Sequence, residues 1–190
     1  MKDIEEVDVV CNTCFSDHPD EEITPCKYFK QMCRGEVTEN FVEQSNLYCV
    51  YKTGRTLNTN KNEIEQFLDI HIMAGIVNMP NYRMYWADTT RLEPIADVMS
   101  RNWFHTMRNY FHINNNSTMK ACDDPEYDRL FKVRPFVESI KTSFQEIEVE
   151  EYNSVDECII PFNGRSSLKQ YVRNKPHKQG IKIFTRTGSS

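Results

Sequence analysis

The sequence has no apolar run of the roughly eighteen residues that a membrane-spanning helix needs, and residues 1–6 lack the apolar core of a signal peptide. We therefore expect neither a membrane partner nor secretion. The sequence also lacks the even, regularly spaced cysteines of a disulfide framework, because its seven cysteines are irregularly placed. Reduced thiols in the nucleus or cytosol are the expectation that follows.

Acidic residues are absent from 163–190, although the whole chain carries a net charge of −5. The basic side chains of this stretch are Arg165, Lys169, Arg173, Lys175, Lys178, Lys182 and Arg186, and it also contains His177. A protein of acidic composition is unsuited to coat nucleic acid with its whole surface. Any affinity for DNA is therefore expected from this local basic segment.

Two strands are predicted around the basic segment. Residues 154–162 are rich in β-branched and apolar side chains, include Asp156 and Glu157, and end at Asn163. Residues 180–186 alternate apolar side chains with mainly charged ones. A strand carboxylate beside a basic hairpin suits phosphodiester chemistry, because the carboxylate can hold a divalent metal while Lys and Arg hold backbone phosphates. An acidic pair in a strand also serves as a solvated edge or a salt-bridge partner, and composition alone favours that interpretation.

Helical patterns fill most of the remaining chain. Thr24, Asn60 and Ser100 are predicted N-caps. Pro135 predicts a break near 132–134 in the last helix, because proline removes a hydrogen-bond donor and clashes with the preceding turn. The aromatic loop 81–90 is predicted to dock on the helices, with its polar tips meeting backbone groups. The predicted helices cover 25–32, 36–51, 60–76, 94–99, 100–113 and about 127–148.

Residues 1–23 carry eight acidic side chains against one basic one, which is typical of a flexible acidic lead-in. A zinc site is an open alternative for Cys11 and Cys14, since thiolates at this spacing can share a tetrahedral ion. Free thiols are the favoured interpretation, because the next cysteines, Cys26 and Cys33, fall in a helical stretch.

A series of motifs in fixed order resembles the piggyBac-type transposases and the host proteins derived from them. Towards the carboxyl end the motifs are Asp156-Glu157, Ile160-Pro161-Phe162, 164–171 (GRSSLKQY), 175–178 (KPHK) and Gly180-Ile181-Lys182. Upstream they are Thr24-Pro25, Tyr28-Phe29, Asn46-Leu47-Tyr48, Tyr85-Trp86, 99–102 (MSRN), 111–114 (FHIN) and 128–135 (DRLFKVRP). The resemblance covers residues 24–190, with Cys158 and Gln179 as departures from the usual residues.

The resemblance implies an α+β, mostly α fold, in which a helical region precedes the first β-hairpin of a ribonuclease-H-like transposase core. It divides the chain into the acidic lead-in 1–23, a helical dimerisation and DNA-associating region at 24–151, and the start of the catalytic core at 152–190. Carried over by position, Asp156 is the first of three metal-binding aspartates, with Mg²⁺ or Mn²⁺ as cofactor. The family's other two aspartates lie beyond residue 190, so we expect a truncated core. Glu157 cannot complete the same site, because neighbouring strand side chains point to opposite faces.

We therefore expect a protein derived from a DNA cut-and-paste transposase, which associates with DNA in the nucleus and has an incomplete catalytic site. Asp156 is the candidate catalytic and metal-binding residue. The candidate phosphate contacts are Arg165, Lys169, Arg173, Lys175, Lys178 and Lys182. Two alternatives stay open: a nuclear interaction module that forms homodimers or pairs with full-length family members, and a relic without a settled fold.

Overall fold

A computed structural model of the protein describes residues 25–147 and 149–188. The acidic segment 1–23, with Cys11 and Cys14, lies outside the described residues, as does the predicted N-cap Thr24. The described chain separates into two compact units. One is Gly35–Ala121, and the other combines the described parts of Met1–Arg34 and Cys122–Ser190.

The unit Gly35–Ala121 is helical and contains α2 (Gly35–Thr53), α3 (Lys61–Ile76), α4 (Glu93–Ala96) and α5 (Arg101–Tyr110). Two short 3-10 helices, Tyr82–Trp86 and Asn116–Thr118, lie in its connections. Its core is apolar, and the side chains of Phe41, Ile64, Ile70, Ile95 and Met107 are completely buried. Burial of this apolar surface is the main force that holds short helices together.

The N-caps of α3 and α5 are confirmed. The side-chain oxygen of Asn60 accepts a hydrogen bond from the Glu63 backbone N–H at 3.0 Å. In turn, the carboxylate of Glu63 accepts a hydrogen bond from the Asn60 backbone N–H at 3.1 Å. The hydroxyl oxygen of Ser100 accepts a hydrogen bond from the backbone N–H of Trp103 at 3.3 Å. Helix α5 ends at Tyr110, before the predicted end at Ile113, because the backbone of Phe111 turns out of the helical conformation.

The aromatic loop docks on the helices as predicted. Tyr85 is buried, and its hydroxyl donates to the carbonyl of Val77 at 2.6 Å. The indole N–H of Trp86 donates to the carbonyl of Met99 at 2.8 Å. These polar tips therefore meet backbone acceptors, while the rings supply apolar contact area.

The second unit contains α1 (Pro25–Met32), α6 (Arg134–Gln145) and a small sheet. Ser143 on α6 is buried and donates to the carbonyl of Met32 at 3.2 Å, and Arg34 pairs with Glu146. The break expected from Pro135 is confirmed, since α6 begins at Arg134. The long helix starts where the break was expected, and the stretch before it is not helical as predicted from about residue 127, because 129–133 form turns.

The sheet contains β1 (Asn153–Pro161), β2 (Lys169–Tyr171) and β3 (Gln179–Gly188). Its strand order is β1-β3-β2, with both pairs antiparallel. Strands β1 and β3 are the two predicted ones, whereas β2 was not predicted. Gly180 lies between the other two strands, where a Cβ atom would overlap the carbonyl oxygen of Ile160.

Candidate nucleic-acid interface and carboxylate strand

Asp156 lies in the middle of β1, opposite Thr185 of β3. Its side chain is 79% exposed. One carboxylate oxygen accepts a hydrogen bond from the backbone N–H of Glu157 at 2.7 Å and lies 3.4 Å from the ammonium of Lys175. The N–H of Glu157 and then the ammonium of Lys175 lower the pKa of Asp156 below its ordinary value. The carboxylate is therefore held in its charged form.

Glu157 has a different partner. Its carboxylate lies 2.7 Å from the ammonium of Lys182, and both side chains are partly buried. The Lys182 ammonium also lies 4.3 Å from the centre of the Phe184 ring. The separate partners of Asp156 and Glu157 agree with the alternation of neighbouring strand side chains between the two faces.

Both loops of the basic segment meet the same end of the sheet. Strand β1 ends at Pro161, opposite Gly180, and β2 ends at Tyr171, opposite Gln179. The loops 162–168 and 172–178 therefore leave the sheet side by side. Lys175, in the second loop, reaches back to Asp156.

Four of the six candidate phosphate contacts form what we call the basic sheet end, which consists of Arg165, Lys169, Arg173 and Lys178. Lys169 is partly exposed and donates to the carbonyl of Gly164 at 3.2 Å, whereas the other three side chains are exposed. Within the described ranges, no carboxylate lies at ion-pair distance from any of the four. Their charge is therefore available to an anion from outside.

The sequence did not reveal that Lys175 and Lys182 pair with the two carboxylates of β1. These ion pairs depend on the β1–β3 register and on the path of the 172–178 loop, which no local pattern specifies. The alternation of charge along 180–186 was the one signal, since it predicted that Lys182 shares a face with Phe184 and Arg186.

The carboxylates of the described chain do not complete a metal site. Across 25–147 and 149–188, no three His, Cys, Asp or Glu side chains lie close enough to hold one ion. Two-metal phosphodiester chemistry requires several converging carboxylates, and Asp156 offers one. The donor set present therefore does not by itself fit Mg²⁺ or Mn²⁺.

The helices of the described chain are all too short or too polar to cross a membrane. The side chains of Cys33 and Cys49 are buried, whereas those of Cys122 and Cys158 are exposed. Neither finding adds a residue to the candidate interface.

Comparison with known proteins gives the class first. Residues 24–190 match the model of a family described as Transposase IS4. The fold and the carboxylate strand are therefore those of a transposase-type protein.

Human relatives give the branch of that class. The chain is 31% identical over 164 residues to PiggyBac transposable element-derived protein 3 of Homo sapiens, a match that covers 85% of this chain and 27% of the relative. It is 30% identical over 173 residues to PiggyBac transposable element-derived protein 2 of Homo sapiens, covering 89% of this chain and 28% of the relative. The chain thus spans less than a third of the length of these relatives. It belongs to the piggyBac transposase family.

A solved structure shares the fold. It is the cryo-EM structure of the piggyBac transposase synaptic complex with hairpin DNA, which matches with a TM-score of 0.72 at 24% identity. The match covers 87% of this chain and 36% of that chain. The expected fold class, mostly helical with a small antiparallel sheet, is confirmed, and the family implies that the sheet begins a ribonuclease-H-like core.

Proposed function

We propose that this chain is a transposase-derived segment that associates with the phosphate backbone of DNA through the basic sheet end. The observation that carries the proposal is the charge of that surface, since Arg165, Arg173 and Lys178 are exposed without a carboxylate partner among the described residues. The family supplies the class of partner. Lys169 contributes as the fourth member of the surface.

Lys175 and Lys182 are weaker members of the proposed interface. Each faces a carboxylate of β1 at rest, so a phosphate must compete with Asp156 or Glu157 for it. In the pair Lys175–Asp156 the carboxylate is exposed and the lysine is partly exposed. Ion pairs so open to water contribute little, so Lys175 can turn to a phosphate at small cost. Lys182 is held more firmly because it is also packed on Phe184.

The test is the affinity of purified protein for a DNA duplex, with Arg165, Arg173 and Lys178 all replaced by Gln. Each phosphate contact releases counterions from the DNA, so a variant that lacks three contacts releases fewer of them. We therefore expect the slope of log affinity against log salt to be shallower by about 2.7 in the triple variant. A matched control replaces three exposed cations on or beside helices, Lys52, Arg55 and Lys141, with Gln.

The control should keep the wild-type slope. Equal losses in the two triple variants would show that net charge alone matters and would contradict the proposed surface. Unchanged binding by the triple variant would contradict it as well. Thermal unfolding of each variant verifies that the substitutions leave the fold intact.

We further propose that residues 1–190 alone do not cleave DNA. Asp156 would supply one ligand of the Mg²⁺ or Mn²⁺ that the family implies, and the described residues contain no group of three His, Cys, Asp or Glu side chains that could hold the ion. The measurement is strand cleavage of duplex DNA with either metal added. Robust cleavage that Asp156→Ala abolishes would contradict this proposal.

A second candidate function is pairing with another copy of this chain or with a full-length family member in the nucleus. The observation that favours it is apolar exposure on and beside β1, where Tyr152, Val155 and Ile160 are 68%, 64% and 48% exposed. Within the described residues, β1 is also hydrogen-bonded on one side only. Light scattering over a concentration series tests it, because a strictly monomeric chain would contradict self-association.

A further inference from the structure

Ser167 has a basic residue two positions away on each side. The flanking residues are Arg165 and Lys169, and no other Ser or Thr of the sequence has Lys or Arg at both of these positions. The nearest acidic residue along the sequence is Glu157, ten positions before it. An enzyme with an acidic cleft therefore finds a charge pattern to recognise around this hydroxyl.

The side chain of Ser167 is exposed, in the turn that precedes β2. The side-chain oxygen of the neighbouring Ser166 accepts a hydrogen bond from the Leu168 N–H at 3.2 Å, so it is occupied in the turn. The hydroxyl of Ser167 has no hydrogen-bond partner among residues 25–147 and 149–188. Of the two serines, Ser167 is thus the one whose oxygen is open to a reaction.

The loop around Ser167 has few contacts that an enzyme must break to reach it. Every residue from Pro161 to Ser167 is exposed. The turn is held by hydrogen bonds at Ser166 and by the ammonium of Lys169, which donates to the carbonyl of Gly164 at 3.2 Å. Segments with exposed hydrogen bonds and few buried contacts open locally at a small part of the free energy of global unfolding. An enzyme that binds extended peptides can therefore reach this loop.

We propose that Ser167 is a phosphorylation site for a serine kinase that selects basic residues around its substrate serine. The phosphoryl donor is ATP with Mg²⁺, both bound by the kinase. The Ser167 oxygen forms a bond to the γ-phosphorus of ATP while the bond from that phosphorus to the β–γ bridging oxygen breaks, and ADP leaves. The hydroxyl proton passes to a carboxylate base of the kinase and then to water.

The modification acts on the basic sheet end, and this consequence rests on the proposed DNA association. The four cations of the basic sheet end include both neighbours of Ser167, Arg165 and Lys169. A phosphoserine carries a charge of about −1.5 to −2 at pH 7, so it cancels up to about half of their four positive charges. Charge-assisted hydrogen bonds to the new phosphate also withdraw the two neighbours from DNA. Phosphorylation of Ser167 therefore weakens binding to the phosphate backbone.

The modification is tested on the full 190-residue chain with ATP, Mg²⁺ and a purified serine kinase that selects basic flanks. Mass spectrometry of the digested protein should place a phosphate on Ser167, and Ser167→Ala should remove it. Ser166→Ala should leave it in place. Ser154, which is also exposed but precedes Asp156 and Glu157, should stay unmodified. A phosphate on Ser166 instead of Ser167, or on neither, overturns the inference.

The recognition of the flanking charges has its own test. Arg165→Gln with Lys169→Gln should slow phosphorylation of Ser167 on the order of tenfold or more, because the acidic cleft loses both of its contacts. The matched control is Lys52→Gln with Arg55→Gln, which removes the same charge from exposed positions at the end of α2 and should keep the rate. Equal slowing in the two variants contradicts recognition of the flanks.

The effect on DNA is measured with the phosphorylated and the unmodified chain over a salt series. Phosphorylation should weaken affinity for a duplex on the order of tenfold or more, and make the slope of log affinity against log salt shallower by about 1.8, as the loss of two phosphate contacts does. Ser167→Asp should weaken binding in the same direction, whereas the neutral Ser167→Asn should not.

Failure of the phosphorylation site and failure of DNA association give different results. If the unmodified chain binds DNA and the kinase does not modify Ser167, the phosphorylation site alone is overturned. If Ser167 is modified and the affinity stays unchanged, the regulatory effect is overturned and DNA association stands. Absence of DNA binding by the unmodified chain at low salt overturns the proposed function, while the mapped phosphate still decides the modification site.

Discussion

At Asp156 and Glu157, neighbouring carboxylates of one strand meet different lysines. Asp156 is exposed and lies beside Lys175, whereas Glu157 is partly buried beside Lys182. The exposed carboxylate is the one that can exchange its lysine for another cation at small cost, because exposed ion pairs are weak. This difference in exposure separates the candidate metal ligand from its structural neighbour.

The carboxylate of Asp128 provides a pH test at a single residue. Arg134 binds both its oxygens, at 2.8 Å and 2.6 Å, and the Leu130 N–H adds a third bond at 2.8 Å. These donors, Arg134 first, lower the pKa of Asp128. Since the folded pKa lies below the unfolded one, near 3.9, the stabilisation is present above that pH and is lost as pH falls through the folded pKa.

Replacing Asp128 with Asn should therefore lower the free energy of unfolding by about 1 kcal/mol near pH 7, the scale of a partly exposed charged pair. The difference from wild type should shrink as the pH falls below the unfolded pKa, near 3.9, and through the lowered pKa of Asp128 in the folded protein. Urea denaturation over a pH series from 7 downwards measures the difference. The control is Asp123→Asn, an exposed neighbour, and a constant difference across pH would contradict the account.

Gly180 is the residue that the sheet can least replace. A Cβ atom there would overlap the backbone of Ile160, and backbone cannot move aside as a flexible side chain can. Gly180→Ala should cost about 1–3 kcal/mol of unfolding free energy, as overpacking does. Denaturant unfolding measures it.

The matched control for this substitution is Gly75→Ala in α3, where a Cβ atom meets nothing within 4 Å. Alanine favours a helix over glycine, so this variant should be more stable by about 0.5–1 kcal/mol. Equal effects of the two substitutions would contradict the packing seen at the sheet.

Among the elements, the helices were the most predictable because their end signals are local. Pro25 begins α1, Asn60 caps α3 and Ser100 caps α5, as their sequences indicate. The error in α6 arose because the apolar spacing continues through Leu130 and Val133, while Pro135 moves the helix start to Arg134. Local spacing cannot show which part of such a stripe becomes helical.

The capping box of α3 offers a test at this scale. Asn60→Ala removes the bond to the Glu63 N–H and should lower the unfolding free energy by about 1 kcal/mol. Asn62→Ala, an exposed position inside the first turn, is the control and should change stability much less. Equal losses would contradict a specific contribution of the cap, because helix propensity alone favours alanine over asparagine at position 62.

The sheet was predictable in its two long strands and unpredictable in its pairing. Strand β2 has three residues and no alternating pattern, so it escaped detection. The placement of Lys175 and Lys182 followed from register and loop path, which are long-range properties. The sequence therefore predicted which residues make up the candidate site, namely Asp156 and the basic segment. Only the structure shows which of the lysines and arginines are paired with a carboxylate.

At the scale of the whole molecule, an acidic chain carries a local cationic surface, the basic sheet end, within one of its two compact units. Net charge alone would argue against a nucleic-acid partner, since the chain is at −5. Local clusters without carboxylate partners overcome this, because a polyanion within a Debye length senses the nearest charges most strongly.

The central claim is that the chain binds DNA through phosphate contacts, and the salt dependence of wild-type binding to a duplex tests it most directly. Counting only Arg165, Arg173 and Lys178, log affinity should fall linearly with log salt with a slope of about −2.7 or steeper. Binding that is absent at low salt, or that does not weaken as salt rises, would contradict the account.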